Sequence, residues 1–175
     1  TGRFINSIGR TGTGPGEYVS INDFSVDTQR GVVSILSARH TVIEYDYQGN
    51  YKGKKDIGFF SDKFECQNGK YYFVSYDEGR GNLIVTDKDM HVTAEFLTNR
   101  KDEPVAIFWH PVQKMADGTV TFFRYMSDIV YQLDDKDELS VRYKVDFGSR
   151  SVNRELVTPD NMIEIEETHR CCIYM

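Results

Sequence analysis

The sequence is poor in residues that build metal or disulfide scaffolds, with three cysteines and four histidines among 175 residues. A dense zinc or disulfide framework is therefore not expected. No stretch approaches the ~18 consecutive apolar residues of a membrane helix, so we expect no membrane span. Basic residues are outnumbered, with 21 Lys and Arg against 27 Asp and Glu. This net charge of −6 argues against a general nucleic-acid binder, whose affinity comes largely from neutralising phosphates.

Helical periodicity is also scarce, and short strands take its place. The segments at 32–36, 71–74 and 119–123 are rich in β-branched and aromatic residues, and turn residues bound each of them. Aromatic residues make up 13% of the chain, which is too many for a disordered polypeptide. The length corresponds to about one domain. The sequence therefore predicts an all-β fold with a packed core.

The strands recur as a set of four. In each set the third strand ends in an acidic turn, at Asp46, Asp87 and Asp134. The spacings, 87 − 46 = 41 and 134 − 87 = 47, are typical of a four-stranded propeller blade. We therefore predict a β-propeller of four-stranded antiparallel blades. Three blades are whole, at residues 22–58, 63–98 and 111–148.

The two ends of the chain are predicted to be parts of further blades. Residues 1–9 are interpreted as the outer strand of a preceding blade and residues 162–175 as the inner hairpin of a following one, so that 1–175 form one propeller region. We expect the chain to belong to a longer protein. Two alternatives stay open: a closed four-bladed ring in which residues 2–8 pair with the C-terminal hairpin, and two arcs that associate through their open flanks.

Segments 2–9, 12–18 and 23–27 resemble an NHL-type repeat, and the Gly-Pro-Gly-Glu-Tyr sequence is the most specific part. The whole chain resembles the six-bladed β-propeller lipoproteins of Bacteroidetes, in the NHL/TolB-like superfamily. The resemblance implies a fragment of a six-bladed propeller, lipid-anchored in the full-length protein and located in the periplasm or at the cell surface. It carries over no catalytic residues. The segments that are similar to that family's later blades are 82–89, 127–133, 145–148 and 167–170.

Basic and aromatic residues gather in the loops at one rim of the predicted blades. An arginine recurs in the loop between the second and third strands of all three blades, and a long crossover adds an aromatic residue and a histidine. Propeller ligands commonly bind where such loops converge, and arginine suits carboxylate, sulfate or phosphate. The candidate ligand-binding residues are Arg39, His40, Arg80, Trp109, His110 and Arg124.

Each candidate also has a structural interpretation. A rim arginine can cap a carbonyl or pair with a nearby acid, as Asp128 near Arg124, and Trp109 could fill the core between blades. The histidines lack partners at metal-ligand spacing, so we expect neither a metal nor a cofactor. The glycine-rich segment 12–16 lacks the lysine and the helix of a phosphate-binding loop, and is predicted to be a tight crossover.

Two classes of function remain. The sequence favours a non-enzymatic binding module of the bacterial cell envelope, in which a rigid propeller presents loops to a glycan, peptide or protein. The alternative is an NHL-like lyase or hydrolase at the axial mouth, for which His40, Asp62 and His110 are conceivable metal ligands. The open blade edges also predict that the chain could associate with itself.

Overall fold

The computed structural model describes residues 2–102 and 110–168. A short parallel pair, β1 (Arg10–Thr11) with β2 (Glu17–Tyr18), precedes three four-stranded sheets. The first sheet contains β3 (Asp23–Asp27), β4 (Val32–Ser37), β5 (Thr41–Asp46) and β6 (Tyr51–Asp56). The second contains β7 (Lys63–Gln67), β8 (Lys70–Val74), β9 (Gly81–Thr86) and β10 (Val92–Thr98). The third contains β11 (Val112–Lys114), β12 (Val120–Phe123), β13 (Ile129–Leu133) and β14 (Leu139–Lys144).

Within each sheet the strands lie side by side in chain order. The pairs in the first and third sheets are antiparallel, as is the pair β7–β8. Four consecutive antiparallel strands joined by short turns are the unit of a propeller blade. The predicted all-β fold of four-stranded blades is confirmed.

The acidic turns between the third and fourth strands are formed in the same way in all three sheets. One carboxylate oxygen of each aspartate accepts hydrogen bonds from the backbone N–H groups two and four residues further on, at 2.8 to 3.0 Å. This side-chain-to-backbone pattern stabilises a tight turn and explains why an acid recurs there. The three aspartates, Asp46, Asp87 and Asp134, are therefore turn-forming residues.

The chain divides into two compact units, residues 1–75 with 84–94 and residues 76–83 with 95–175. The core of the first unit is built around parallel-stacked rings of Phe64, Tyr71 and Phe73, whose centroids lie 5.6 to 6.1 Å apart. Aliphatic side chains such as Leu36 and Val42 complete it, and all of these residues are buried. In the first sheet, β4 is buried along its whole length and β5 at all but its last residue, so both faces of these two inner strands are covered.

The core of the second unit contains Tyr125, Met126 and Val157, with Met162 and Ile165 packed against them. The segment that follows the third sheet supplies Val157, Met162 and Ile165. It contains two short 3₁₀ helices, Gly148–Arg150 and Arg154–Leu156, and one α-helix, α1 (Met162–Thr168). In the described part of the chain, no helix has the length and apolar character needed to cross a membrane.

Two predicted strands are not formed. Residues 2–9 contain no strand, because an outer strand needs the inner strands of its own blade as partners and the described residues provide none there. The predicted hairpin at 162–175 is also wrong over its first half, where Met162–Thr168 is helical. Its apolar residues are three apart at Met162 and Ile165, which suits one helix face, and both pack on the core. Residues 169–175 lie outside the described part.

Candidate functional site

The second unit contains an open cavity of about 330 Å³ beside the third sheet. Its walls come from the loop between β12 and β13, from the start of β13 and from the segment that follows the sheet. Two arginines, two acids, an amide, a hydroxyl and a phenol lie among apolar side chains. The residues that line it are Arg124, Ser127, Asp128, Ile129, Tyr131, Val152, Asn153, Arg154 and Glu155.

Arg124 reaches this cavity because of how the loop after β12 is anchored. The next two residues, Tyr125 and Met126, are buried at 3% and 2% exposure. Met126 adopts a positive φ of 51°, and the N–H of Ser127 donates to the carbonyl of Arg124 at 3.2 Å, which closes a turn. Since its neighbours occupy the core, the Arg124 side chain lines the wall of the cavity.

Arg154 approaches the cavity from the other wall. It begins the 3₁₀ helix Arg154–Leu156, for which the side chain of Asn153 accepts a hydrogen bond from the N–H of Glu155. The Nε atom of Arg154 donates to the carbonyl of Tyr125 at 3.0 Å. This bond ties the 3₁₀ segment to the β12–β13 loop and orients the guanidinium at the cavity wall.

Arg100 holds the same segment from outside the cavity lining. Its Nη1 atom donates to the carbonyl and the carboxylate of Glu155, at 3.1 and 3.2 Å. Its Nη2 atom donates to the carbonyl of Val157 at 3.0 Å. Arginine, with five donors in a fixed geometry, suits this bridging role.

The cavity lining combines the guanidiniums of Arg124 and Arg154 with the carboxylates of Asp128 and Glu155. Burial lowers the pKa of Arg124, and burial together with the nearby charge of Arg100 lowers the pKa of Arg154. Both guanidiniums stay protonated at neutral pH because the pKa of an arginine lies far above 7 even when burial lowers it. Two partly desolvated positive charges that line the same cavity would gain from an anionic ligand.

The other predicted arginines form ion pairs in their own loops. The Nε atom of Arg39 lies 2.8 Å from the Asp62 carboxylate, and a guanidinium nitrogen of Arg80 lies 2.6 Å from Glu95. Arg39 belongs to the first unit and Arg80 to the second. Neither lines the cavity. These pairs match the structural interpretation of the rim arginines.

The predicted histidines lie in different units. The Nδ1 atom of His40 contacts the carbonyl of Ala38 at 2.6 Å, and its ring packs edge-on against Phe60. His110, in the second unit, is exposed, and its carbonyl accepts a hydrogen bond from Gln113. Trp109 lies outside the described residues. Within residues 2–102 and 110–168, no group of three or more His, Cys, Asp or Glu side chains is placed to hold a metal ion.

The glycine-rich crossover contains its own anion. The Glu17 carboxylate accepts a hydrogen bond from the N–H of Gly14 at 2.9 Å and pairs with Nε of Arg10 at 2.6 Å. These two contacts lower the pKa of Glu17. A side chain at Gly12 would bring its Cβ into collision with the same carboxylate. The loop therefore binds an internal glutamate, as a tight crossover between two short strands.

Sequence reasoning named Arg124 as a candidate and Asp128 as its neighbour, but it did not single out Tyr131, Asn153 or Arg154. Tyr131 is a strand residue without a distinguishing neighbour, and Arg154 and Asn153 belong to an irregular segment beyond the last repeat. Their only signal was composition, namely a basic and an amide residue in a segment that breaks the strand pattern. Packing of Val157 and Met162 on the loop core brings that segment to the cavity.

Comparison with solved structures supports the propeller fold. A Bacteroides fragilis protein that is predicted to be exported has 19% sequence identity and a TM-score of 0.66, with 82% of this chain and 42% of that chain covered. BamB from Moraxella catarrhalis has 13% identity and a TM-score of 0.50, with 77% and 41% covered. The structure of streptogramin B lyase has 14% identity and a TM-score of 0.48, with 73% and 41% covered.

This chain therefore spans less than half the length of these three proteins. At such identities the first two likenesses establish the fold alone, and the third is too weak to support the lyase alternative. No protein with a curated description matches the chain. A family match does cover almost every residue, from 1 to 174. The chain belongs to the family described as domain of unknown function DUF4934.

Proposed function

We propose that this chain is part of a non-enzymatic β-propeller module that binds an anionic ligand through the cavity lined by Arg124 and Arg154. The observation that carries the proposal is the pair of partly buried guanidiniums on one open cavity. The guanidinium of an ordinary surface arginine is fully hydrated, whereas these two guanidiniums have already lost part of their hydration because they are partly buried. Part of the desolvation cost of binding is therefore met before the ligand arrives.

The cavity is placed on a rigid support, which suits recognition. Tyr125 and Met126 anchor one wall in the core, and Arg100 and Arg154 fasten the other through hydrogen bonds to backbone carbonyls. A binding site held in this way loses little entropy when a ligand enters. Binding residues on loops that a rigid scaffold positions are common in such modules.

The proposal is tested by anion-dependent melting at constant ionic strength, with sulfate compared to chloride. At ten times the dissociation constant, stabilisation of about 1.4 kcal/mol corresponds to a melting-temperature rise of about 3–6 °C for a chain of this size. Sulfate also stabilises proteins without binding, and Arg124→Ala should retain only that part of the rise. Arg150→Ala, which removes an exposed charge of the same unit outside the cavity lining, should retain all of it. An equal rise in wild type and Arg124→Ala would overturn the proposal.

We also propose an extracytoplasmic location at the bacterial cell envelope, with a lipid anchor in the full-length protein. The support is the similarity to a Bacteroides fragilis protein that is predicted to be exported. A six-bladed ring of NHL type belongs to the same proposal. In such a ring this chain would supply about half of the blades.

Association through open blade edges is a further part of the proposal. The outer strand β14 exposes the apolar residues Val141 and Tyr143, at 58% and 56%. An exposed apolar edge strand is a template for pairing with another strand, either from the rest of a longer protein or from a second copy.

A further inference from the structure

We propose that the ligand of the Arg124–Arg154 cavity is a carboxylate-bearing sugar, a uronic acid unit of a glycan; this inference rests on the proposed function. The cavity, at about 330 Å³, lies at the small end of the range for ligand sites. It therefore suits one small ring better than a long chain. Its lining has three kinds of surface, and a sugar acid complements each of them.

The first surface is formed by the guanidiniums of Arg124 and Arg154. Guanidiniums bind carboxylates through two parallel hydrogen bonds, which fixes direction as well as charge. Arg124 and Arg154 come from different segments and line the same space, so they can hold one carboxylate from two sides. The bond from Nε of Arg154 to the Tyr125 carbonyl leaves its position defined before a ligand binds.

The second surface is polar and includes two acids. Ser127, Asp128, Asn153 and Glu155 line the cavity with the arginines, and the Glu155 carboxylate pairs with Arg100 at 3.2 Å. A carboxylate such as Asp128 accepts hydrogen bonds from hydroxyl groups, which a compact inorganic anion does not offer. Asp128 also has Lys144 Nζ 4.0 Å from one of its oxygens. A lysine near that carboxylate weakens its attraction for a second ammonium group, so Asp128 suits a neutral hydroxyl donor better than the ammonium group of an amino acid.

The third surface is apolar and aromatic. Tyr131 lines the cavity with its aromatic ring system. Ile129 and Val152 add aliphatic surface. The C–H face of a pyranose ring packs on such surfaces, while the hydroxyl edge faces the polar side chains. A ligand with an anion, several hydroxyls and one apolar face is a sugar acid.

The experiment is calorimetric titration of the chain with six probes: D-glucuronate, D-galacturonate, D-glucose, acetate, sulfate and the dipeptide glycylglutamate. At least one uronate should bind ten or more times more tightly than glucose, acetate and the dipeptide. Arg124→Ala should remove uronate and sulfate binding alike. Tyr131→Leu keeps the apolar volume without the ring, and should weaken uronate at least fivefold while sulfate is unchanged. Arg150→Ala, the control, should bind every probe as the wild type does.

The outcomes separate the two proposals. If sulfate binds in an Arg124-dependent way but uronates bind no better than acetate, the sugar-acid inference is wrong and the anion site stands. Tighter binding of the dipeptide than of either uronate would also overturn the inference and would indicate a peptide ligand. If no anionic probe binds, or if Arg124→Ala binds them all like the wild type, both proposals fail.

Discussion

The buried carboxylate of Glu44 in the first unit provides the sharpest test of the fold. Glu44 is 5% exposed and accepts hydrogen bonds from the hydroxyl of Tyr71 at 2.5 Å and from Nζ of Lys55 at 2.7 Å. A third bond comes from Arg30 at 3.1 Å. Tyr71 is itself buried, and the hydroxyl of Ser34 lies 3.1 Å from its own. This network links β4 and β5 of the first sheet to β8 of the second.

Glu44→Gln keeps the shape of the side chain and removes its charge. Removing one partner of a buried ion pair costs about 3–5 kcal/mol, and a hydrogen bond to a charged group contributes about 1.5–3 kcal/mol. The side chains of Lys55 and Arg30 keep 25% and 27% exposure, so water can partly replace the lost carboxylate. We therefore expect the free energy of unfolding to fall by about 2–3 kcal/mol at pH 7.

The pH dependence gives a second, independent readout. Burial would raise the pKa of Glu44, but the bonds from Lys55 and Tyr71 and the charge of Arg30 outweigh it, so the pKa lies below the ordinary 4.5. The ionised carboxylate thus stabilises the fold above pH 4.5, and this contribution is lost as the pH falls through the lowered value. The stability difference between wild type and Glu44→Gln should therefore shrink in acid.

Urea denaturation at pH 7 and at lower pH measures both effects. The matched control is Glu95→Gln. Glu95 pairs with Arg80, and their side chains are 34% and 33% exposed, so this ion pair is far more accessible to water than that of Glu44. Exposed pairs contribute little, so the control should lose less than about 1 kcal/mol. A loss for Glu44→Gln no larger than that of the control, or a difference that does not change with pH, would refute the reasoning.

Two other predictions concern the first sheet and the open edge. Ser25 is 4% exposed, and its hydroxyl accepts a hydrogen bond from the N–H of Cys66 at 3.1 Å. Ser25→Ala should therefore lower the free energy of unfolding, measured in urea, by about 1–3 kcal/mol. Ser140→Ala, on the exposed side of β14, is the control and should change it by no more than about 0.5 kcal/mol. An unchanged Ser25→Ala would contradict the proposed role of that hydroxyl. If β14 pairs with a second copy, light scattering of the 20.2-kDa chain should give a larger mass that Val141→Lys lowers, and a 20.2-kDa wild-type monomer at high concentration would contradict that pairing.

The repeat pattern predicted the blades because turns and strands are local features. Each acidic turn is formed by one aspartate and the backbone of the four residues that follow it. Asp46, Asp87 and Asp134 therefore predict their turns without any knowledge of how the blades pack. Helix α1 was missed for the opposite reason. A segment of seven residues is too short for its apolar spacing to distinguish a helix from a strand. Packing of Met162 and Ile165 against the core of Tyr125 and Met126 favours the helix.

The site was predictable only in part because it joins distant segments. Arg124 stood out through its recurrence in equivalent loops, but Arg39 and Arg80 share that recurrence and form local ion pairs. Arg124 differs from them because it lines a cavity together with Asn153 and Arg154, which are about thirty residues further along the chain. No repeat or periodicity in the sequence predicts that these segments meet. Packing of Val157 against Tyr125 and Met126 brings them together.

The central claim is that the Arg124–Arg154 cavity binds an anion. Its most direct test is a crystal of the protein soaked in selenate, whose anomalous scattering locates the anion without reference to the protein map. We expect a strong peak within hydrogen-bond distance of both guanidiniums, absent in Arg124→Ala and retained in Arg150→Ala. Selenate bound at other positions, with the cavity between Arg124 and Arg154 lacking a peak, would contradict it.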